Sequence, residues 1–143
     1  MTMPTDDQLA RLGAAFDAFT RRYKLADALG AEKPLNELDK QALLYVAQHP
    51  GCGPTDIARF LDIPKTTVTS ATDRLAKRGL LERSRMEGDR RAVALQLTGQ
   101  GRARAEDLLS AHRQINRRLL EPLTAPERDQ FIALITKIVS HEY

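Results

Sequence analysis

The chain has 143 residues, with a single cysteine, no tryptophan and only 5% aromatic residues. Its core must therefore be mainly aliphatic, which favours helices over an aromatic-rich sheet, and one cysteine excludes an internal disulfide. The net charge of +3 is unevenly placed, because ten basic and only four acidic residues lie between Lys65 and Arg104. This asymmetry favours a polyanion as the partner of that half of the chain.

Other function classes find no support in the sequence. No apolar run approaches the ~20 residues that a membrane span needs. The first ten residues, MTMPTDDQLA, lack the basic and apolar blocks of a signal peptide, so we predict a cytoplasmic protein without a membrane partner. Because the sequence has no phosphate-binding glycine loop, no HExxH motif and no nucleophile elbow, we predict neither an enzyme nor a bound cofactor.

The first predicted helix begins near Thr5, because Thr5 and Gln8 have the spacing of a capping box. It is expected to end near Gly30, before Pro34. Apolar residues recur along it at helical intervals and form a narrow seam, namely Leu9, Leu12, Phe16, Phe19, Tyr23 and Ala26. A second helix follows and ends before Pro50-Gly51.

The next elements are two short helices around a tight turn. Asn36 or Asp39 is predicted to cap the second helix of the chain, and Thr55 to cap the third. Pro64 suits the first turn of the fourth helix, and Gly79 is predicted to end that helix in a left-handed conformation. The predicted inner face of the fourth helix consists of Val68, Ala71, Thr72, Leu75 and Ala76.

A hairpin is predicted next, from strands at Leu80–Arg85 and Ala92–Leu97, with residues 86–88 in the loop. In the second strand apolar residues alternate, as in a half-buried strand. Thr98 is predicted to cap a helix over residues 99–120, and Thr124 to begin the last helix with a second capping box. A helix, a turn, a helix and a two-stranded wing form a DNA-reading arrangement.

These elements predict a mainly α protein with a small β-wing, as one domain over residues 1–143. The winged helix–turn–helix is assigned to residues 36–98, and helices for dimerisation to residues 5–30 and 99–143. A winged domain of about sixty residues is too small to cover the apolar stripes at both chain ends. A homodimer would cover them, and its two heads would suit a palindromic site on double-stranded DNA.

Three segments carry a family resemblance: HPGCGPTDIARFLDI, KTTVTSATDRLAKRGLLERSR and DRRAVALQLTGQG. In this order they resemble the MarR family of bacterial transcription regulators. The last segment fits the family pattern of Asp, any residue, Arg, a short apolar strand, Leu-Thr and a nearby glycine. The resemblance spans nearly the whole chain. It implies a homodimeric winged helix–turn–helix repressor, often released from DNA by a small molecule or an oxidant.

The candidate DNA-binding side chains of the fourth helix are short hydroxyls and basic groups: Lys65, Thr66, Thr67, Thr69, Ser70, Arg74 and Lys77. Hydroxyls near the start of such a helix let its backbone approach the groove. We expect Arg74 to reach a guanine edge and Lys65 and Lys77 to contact phosphates. The alternative is that these are ordinary surface residues of a helix.

The wing carries a second candidate group. Asp89 and Arg91 lie two residues apart in an extended segment, so their side chains can share one side and Asp89 can orient the guanidinium. The resemblance implies that Arg91 enters a minor groove. Arg85 and Arg90 are predicted to contact phosphates. The alternative is a surface ion pair worth ~0–1 kcal/mol without a function.

The resemblance also implies a ligand cleft between the dimerisation helices and the winged part. Residues that could border it are Phe16, Phe19, Tyr23, Tyr45, His49, His112 and Arg113, and plain core or interface roles are the alternative. Cys52 is interpreted as structural, with a redox role as the alternative. His49 and Cys52 have metal-like spacing, but a zinc site needs three or four ligands, so no metal is predicted.

Two other functions stay open on the sequence alone. One is a winged-helix module that binds another protein and no specific DNA. The other is a regulator that responds to redox conditions or to a metal ion.

Overall fold

The computed structural model describes residues 2–25, 33–85, 88 and 92–143. The described residues are mainly helical with one two-stranded antiparallel sheet, which confirms the predicted fold class. The elements are α1 (Asp6–Phe19), continued by a π-helical segment (Thr20–Lys24), then α2 (Glu37–Gln48), α3 (Pro54–Leu61), α4 (Lys65–Lys77), β1 (Leu81–Arg85), β2 (Val93–Leu97), α5 (Gly99–Leu120) and α6 (Ala125–Val139).

Four helices begin at caps that the sequence predicts. The side chains of Thr5, Asn36, Thr98 and Thr124 each accept a hydrogen bond from the backbone N–H three residues further on. Such bonds satisfy N–H groups that the first turn of a helix leaves without a partner. Of the two candidates for the cap of α2, Asn36 fills the role. Asp39 lies within the first turn of α2 and is buried.

The predicted cap of α3 was wrong. Helix α3 begins at Pro54, and Gly53 is its N-cap. The backbone N–H of Gly53 donates to Asp56 Oδ2 at 2.9 Å, so Thr55 lies inside the helix and not before it. Pro54 can open the helix because its first position needs no N–H donor. Pro64 likewise precedes α4 directly and does not lie in its first turn.

The wing strands pair Leu81 with Leu97 and Arg85 with Val93. Leu95 and Leu97 are buried and Gln96 between them is exposed, so the predicted alternation is confirmed there, whereas Val93 and Ala94 are both half-buried. The other edge of β2 is also occupied, because Leu95 exchanges two backbone hydrogen bonds of 2.8 Å with the 51–52 segment. This segment fixes the start of α3 against the wing.

The hydrophobic core of the described residues lies between positions 35 and 105. Its fully buried side chains include Leu43, Val46, Ile57, Val68, Leu75 and Leu95. Helices α1 and α6, both described throughout, contain no buried residue. Their large exposed apolar side chains are Leu9, Leu12, Phe16, Phe131, Ile132, Leu134, Ile135, Ile138 and Val139. The core therefore positions α4 and the wing and leaves the apolar faces of both terminal helices exposed.

Within the described ranges, no helix is both long enough and apolar enough to cross a membrane.

Candidate nucleic-acid interface

Helix α4 presents one polar face to solvent because its other face is part of the core. Val68, Ala71, Thr72 and Leu75 are buried as predicted, and Ala76 is half-buried. All seven predicted contact residues of this helix are exposed: Lys65, Thr66, Thr67, Thr69, Ser70, Arg74 and Lys77. Pro64 is the N-cap, and its side chain makes no hydrogen bond to the first turn of the helix.

Two hydroxyls of this face are held on the helix itself. Thr69 Oγ1 donates to the carbonyl of Lys65 at 3.0 Å, and Ser70 Oγ donates to that of Thr66 at 3.2 Å. These bonds place the hydroxyls in known positions and leave their lone pairs able to accept. At Thr69 and Ser70 the face therefore carries only short side chains, which leave room for the backbone of the helix to lie close to a DNA groove.

Arg74 has a partner that the sequence does not predict. Its Nε and Nη2 donate to the two carboxylate oxygens of Asp39, at 3.0 and 2.7 Å. Asp39 is 3% exposed, whereas the Arg74 side chain is 45% exposed. These hydrogen bonds raise the pKa of Arg74 above its ordinary value. Nothing local in the sequence signals a pair whose members lie 35 positions apart.

Asp73, the residue before Arg74, binds to the wing and not to α2. Asp73 forms an ion pair with Arg83 of β1, and both side chains are partly exposed. An exposed pair of this kind contributes only ~0–1 kcal/mol to the free energy of unfolding, so its main effect is to position α4 relative to the wing. The pair neutralises the one acidic side chain of α4 and links that helix to the wing. Neither Asp73 nor Arg83 was among the predicted site residues.

Only one of the predicted wing contacts can be placed. Arg85 ends β1 and is exposed. Asp89, Arg90 and Arg91 lie outside the described residues, so their roles, including the orientation of Arg91 by Asp89, stay predictions.

Comparisons with known proteins decide the family. A MarR family model matches residues 35–93. The HTH-type transcriptional regulator PecS of Dickeya dadantii is 33% identical over 128 residues, which cover 89% of this chain and 72% of PecS. The chain belongs to the MarR family. A second relative of this MarR-family chain, the uncharacterized HTH-type transcriptional regulator YwhA of Bacillus subtilis, is 30% identical over 89% of this chain and 91% of YwhA.

Solved structures share the fold of this MarR-family regulator. FabT of Streptococcus pneumoniae, crystallised in complex with DNA, matches with a TM-score of 0.78 and 21% identity over 91% of each chain. A probable transcriptional regulator from Pseudomonas aeruginosa matches with a TM-score of 0.68 and 29% identity, over 89% of this chain and 96% of that one. The relatives are transcriptional regulators and not enzymes, as predicted.

The seven predicted ligand residues of this MarR-family chain do not converge on one place. Phe19 and His112 share a cavity of ≈ 500 Å³ between the end of the N-terminal helix, α2 and α5. Tyr45 and His49 stack on each other elsewhere, with ring centroids 4.3 Å apart, and Phe16 is exposed. Tyr23 lies beside Phe19, with ring centroids 5.1 Å apart, and borders a second surface cavity, whereas Arg113 borders a third.

The shared cavity is lined by two lysine side chains that the sequence analysis missed. Its lining comprises Phe19, Lys24, Pro34, Leu35, Glu37, Lys40, His112, Ile115 and Asn116. Lysine side chains give no helical apolar pattern, so Lys24 and Lys40 had no signal that would assign them to a cleft. Glu37 lines the same cavity, and its Oε1 lies 3.5 Å from Lys40 Nζ, so the lining is apolar in part and carries charges of both signs.

Cys52 of this MarR-family chain is partly buried and free. Burial, and then the nearby charge of Asp56, raises the pKa of Cys52 to about 11. The thiol is therefore protonated near neutral pH, and a protonated thiol is a poor nucleophile toward peroxides. This observation favours the structural interpretation over the redox one. Among the described residues, no group of three or more His, Cys, Asp or Glu side chains could hold a metal ion.

Proposed function

We propose that this MarR-family chain binds double-stranded DNA sequence-specifically, as a homodimer on a palindromic operator, and represses transcription. The observation that carries the proposal is the exposed face of α4, where seven hydroxyl or basic side chains lie together. The one acid of that helix, Asp73, is paired with Arg83. Such a face suits phosphates and base edges better than it suits an apolar protein partner.

Two comparisons support the same proposal. FabT has this fold and was crystallised with DNA. Relatives that carry the name repressor include MprA of Escherichia coli, 31% identical over 83% of this chain, and MdtR of Bacillus subtilis, 29% identical over 67% of it. The alternative of a module that binds only proteins leaves the basic and hydroxyl face of α4 without a partner.

The first test measures affinity for sheared duplex DNA against salt concentration. Phosphate contacts release counterions, so the affinity is expected to fall steeply as salt rises. Exchanging Lys77 for alanine is expected to weaken binding to all sequences alike and to reduce the salt slope by about 1. Lys137→Ala removes the same charge from α6 and is the control, with no change in slope expected. Binding that does not respond to salt would favour the protein-binding alternative.

The operator itself can be found by selecting bound fragments from genomic DNA. Two inverted half-sites, with centres about one helical turn or a multiple of it apart, are expected from a two-fold symmetric dimer. A single half-site without symmetry would contradict the palindromic operator.

We further propose that a small organic anion releases the protein from DNA by binding in the cavity beside α2. Lys24, Lys40 and His112 would face the anion, and Phe19 and Leu35 its apolar part. To do so, Lys40 would give up its 3.5 Å ion pair with Glu37, an acid of the same lining. A solved structure of BpsR of Bordetella bronchiseptica, described as showing regulation of its DNA binding by 6-hydroxynicotinic acid, has this fold with a TM-score of 0.71 and 24% identity.

The effector test titrates operator-bound protein with 6-hydroxynicotinic acid and other aromatic carboxylates. With an active compound, Lys40→Gln is expected to raise the concentration for half-release about tenfold, because the variant cannot donate a charged hydrogen bond. Arg113→Gln is the matched control, since Arg113 borders a different cavity. Equal effects of both variants, or no active compound among the carboxylates, would contradict this part of the proposal.

A further inference from the structure

Asp39 is an unusual residue for the first turn of a helix, because it is buried and ionisable. Its backbone N–H donates to Asn36 Oδ1 at 2.8 Å, so the α2 cap fixes the backbone of this residue. Both of its carboxylate oxygens then accept hydrogen bonds from Arg74. The α2 cap therefore fixes the backbone of Asp39, and Arg74 binds its carboxylate. Asp39 itself is too deeply buried to contact DNA.

The pair uses only one edge of the guanidinium. Nε and Nη2 donate to Asp39 and thus account for two of the five N–H groups of an arginine. The end-on edge, made of Nη1 and the second N–H of Nη2, is not used by this pair. The Arg74 side chain as a whole is 45% exposed.

Arg74 also lies in line with other exposed residues of α4. Thr67, Ser70, Arg74 and Lys77 follow at intervals of 3, 4 and 3 residues, which places them on one stripe of the helix. All four are exposed. The stripe is the polar face proposed above to meet DNA, and Arg74 is its one member with a partner on α2.

We propose that Asp39 is a positioning residue for DNA binding. Its buried carboxylate holds the side edge of Arg74, so that the end-on edge is presented to an oxygen or nitrogen acceptor of the duplex. The acceptor is a phosphate or a guanine edge, and the chemistry of recognition is the same for both. This inference rests on the proposed function, because it assumes that α4 faces DNA.

The physical reason is the conformational freedom of a long side chain. An unrestrained arginine has many rotamers, and their loss on binding opposes association. Asp39 removes much of that freedom in the free protein. Charge alone predicts the opposite effect, since an acid near phosphates repels them and its removal should tighten binding. The sign of one substitution therefore separates the positioning effect from simple charge repulsion.

The test is the affinity of Asp39→Asn for the operator recovered by the selection described above, at one fixed salt concentration and corrected for the folded fraction from circular dichroism. We expect binding about three- to tenfold weaker than that of the unaltered protein, the range for one side chain that must be ordered on binding. Glu82→Gln is the matched control, because it removes an exposed acid of β1 that Arg74 does not contact. By charge alone, this control binds equally or more tightly.

A double-mutant cycle with Arg74→Gln tests whether the two residues act as a unit. Arg74→Gln is expected to weaken binding, and adding Asp39→Asn is expected to weaken it little further. The salt slope and the selected sequence separate the two acceptors. If Arg74 binds a phosphate, Arg74→Gln reduces the slope by about 1, and if Arg74 binds a guanine edge, the same substitution changes the sequence that is selected.

Arg74→Lys covers the case in which Asp39→Asn does not fold. Lysine keeps a positive charge beside the buried carboxylate but has no planar fork. This variant is expected to fold and to bind DNA less tightly than the unaltered protein. The positioning role is overturned if Asp39→Asn binds DNA as tightly as the unaltered protein or more tightly. It is also overturned if the losses in the cycle are fully additive. Failure of the unaltered protein to bind duplex DNA would instead overturn the proposed function itself.

Discussion

Exchanging Gly101 for alanine is expected to lower the free energy of unfolding by about 3–5 kcal/mol, which is a large part of the stability of an ordinary domain. A Cβ at this position would lie 2.0 Å from the carbonyl oxygen of Leu80 and 3.3 Å from Leu97 Cβ. The first of these atoms is backbone and cannot move aside as a side chain can. The same carbonyl accepts the N–H of Thr98 at 3.2 Å, so moving it also disturbs the start of α5.

Helix propensity acts in the opposite direction but is the smaller effect. Alanine is favoured over glycine inside a helix by ~1 kcal/mol, whereas overpacking against a rigid backbone costs more. Gly99→Ala is the matched control, because Gly99 lies in the same first turn of α5 and a Cβ there would meet nothing within 4 Å. We expect Gly99→Ala to be neutral or slightly stabilising.

Thermal unfolding measured at equal protein concentration compares the two variants. A destabilisation of this size is expected to lower the Tm of Gly101→Ala by about 10 °C or more. A Tm of Gly101→Ala within a few degrees of the value for Gly99→Ala would show that the Leu80 turn can move at little cost.

Charging the apolar face of α6 is expected to dissociate the proposed homodimer. Phe131 and Ile135 are 39% and 44% exposed and lie four residues apart on one side of that helix. Each such anchor in a dimer interface is worth about 2–4 kcal/mol, and two-fold symmetry makes each substitution act twice. Ile135→Glu is therefore expected to raise the dissociation constant by at least a hundredfold.

Sedimentation at micromolar concentration measures this effect. The unaltered protein is expected to be a dimer, and Ile135→Glu a monomer or an unstable product. Met3→Glu is the control, because Met3 is 84% exposed but precedes α1 and belongs to neither helical stripe. Truncation after Pro122, which removes α6, should have the same effect as Ile135→Glu. A folded monomer of the unaltered protein at this concentration would contradict the homodimer.

The helix starts were the most predictable feature, because a cap is a local interaction. Thr5, Asn36, Thr98 and Thr124 bond to N–H groups only three residues away, and the sequence displays both partners. The error at Thr55 arose where two local signals competed, a hydroxyl cap against a proline at the first helical position. In the structure Gly53 N–H donates to Asp56 Oδ2, and the preceding 51–52 segment pairs with β2.

The exposed face of α4 could also be predicted, because a period of 3.6 residues separates its buried side from its polar side. Which of the predicted ligand residues lie together could not be predicted. Phe19 of α1 and His112 of α5 line one cavity, whereas Tyr45 and His49 stack on each other elsewhere, although all four are aromatic side chains. Periodicity indicates which side of a helix is apolar, but it does not indicate which neighbouring helix that side meets.

The sequence by itself therefore determined the order of elements, four of the helix caps, the polar face of α4 and the family. The tertiary structure alone decided that Asp39 holds Arg74 and that Gly101 lies against Leu80. The reason is the separation of the partners along the chain. Capping, helical periodicity and strand alternation act over about four residues, whereas these contacts join residues 35 and 21 positions apart, which only the packed core brings together.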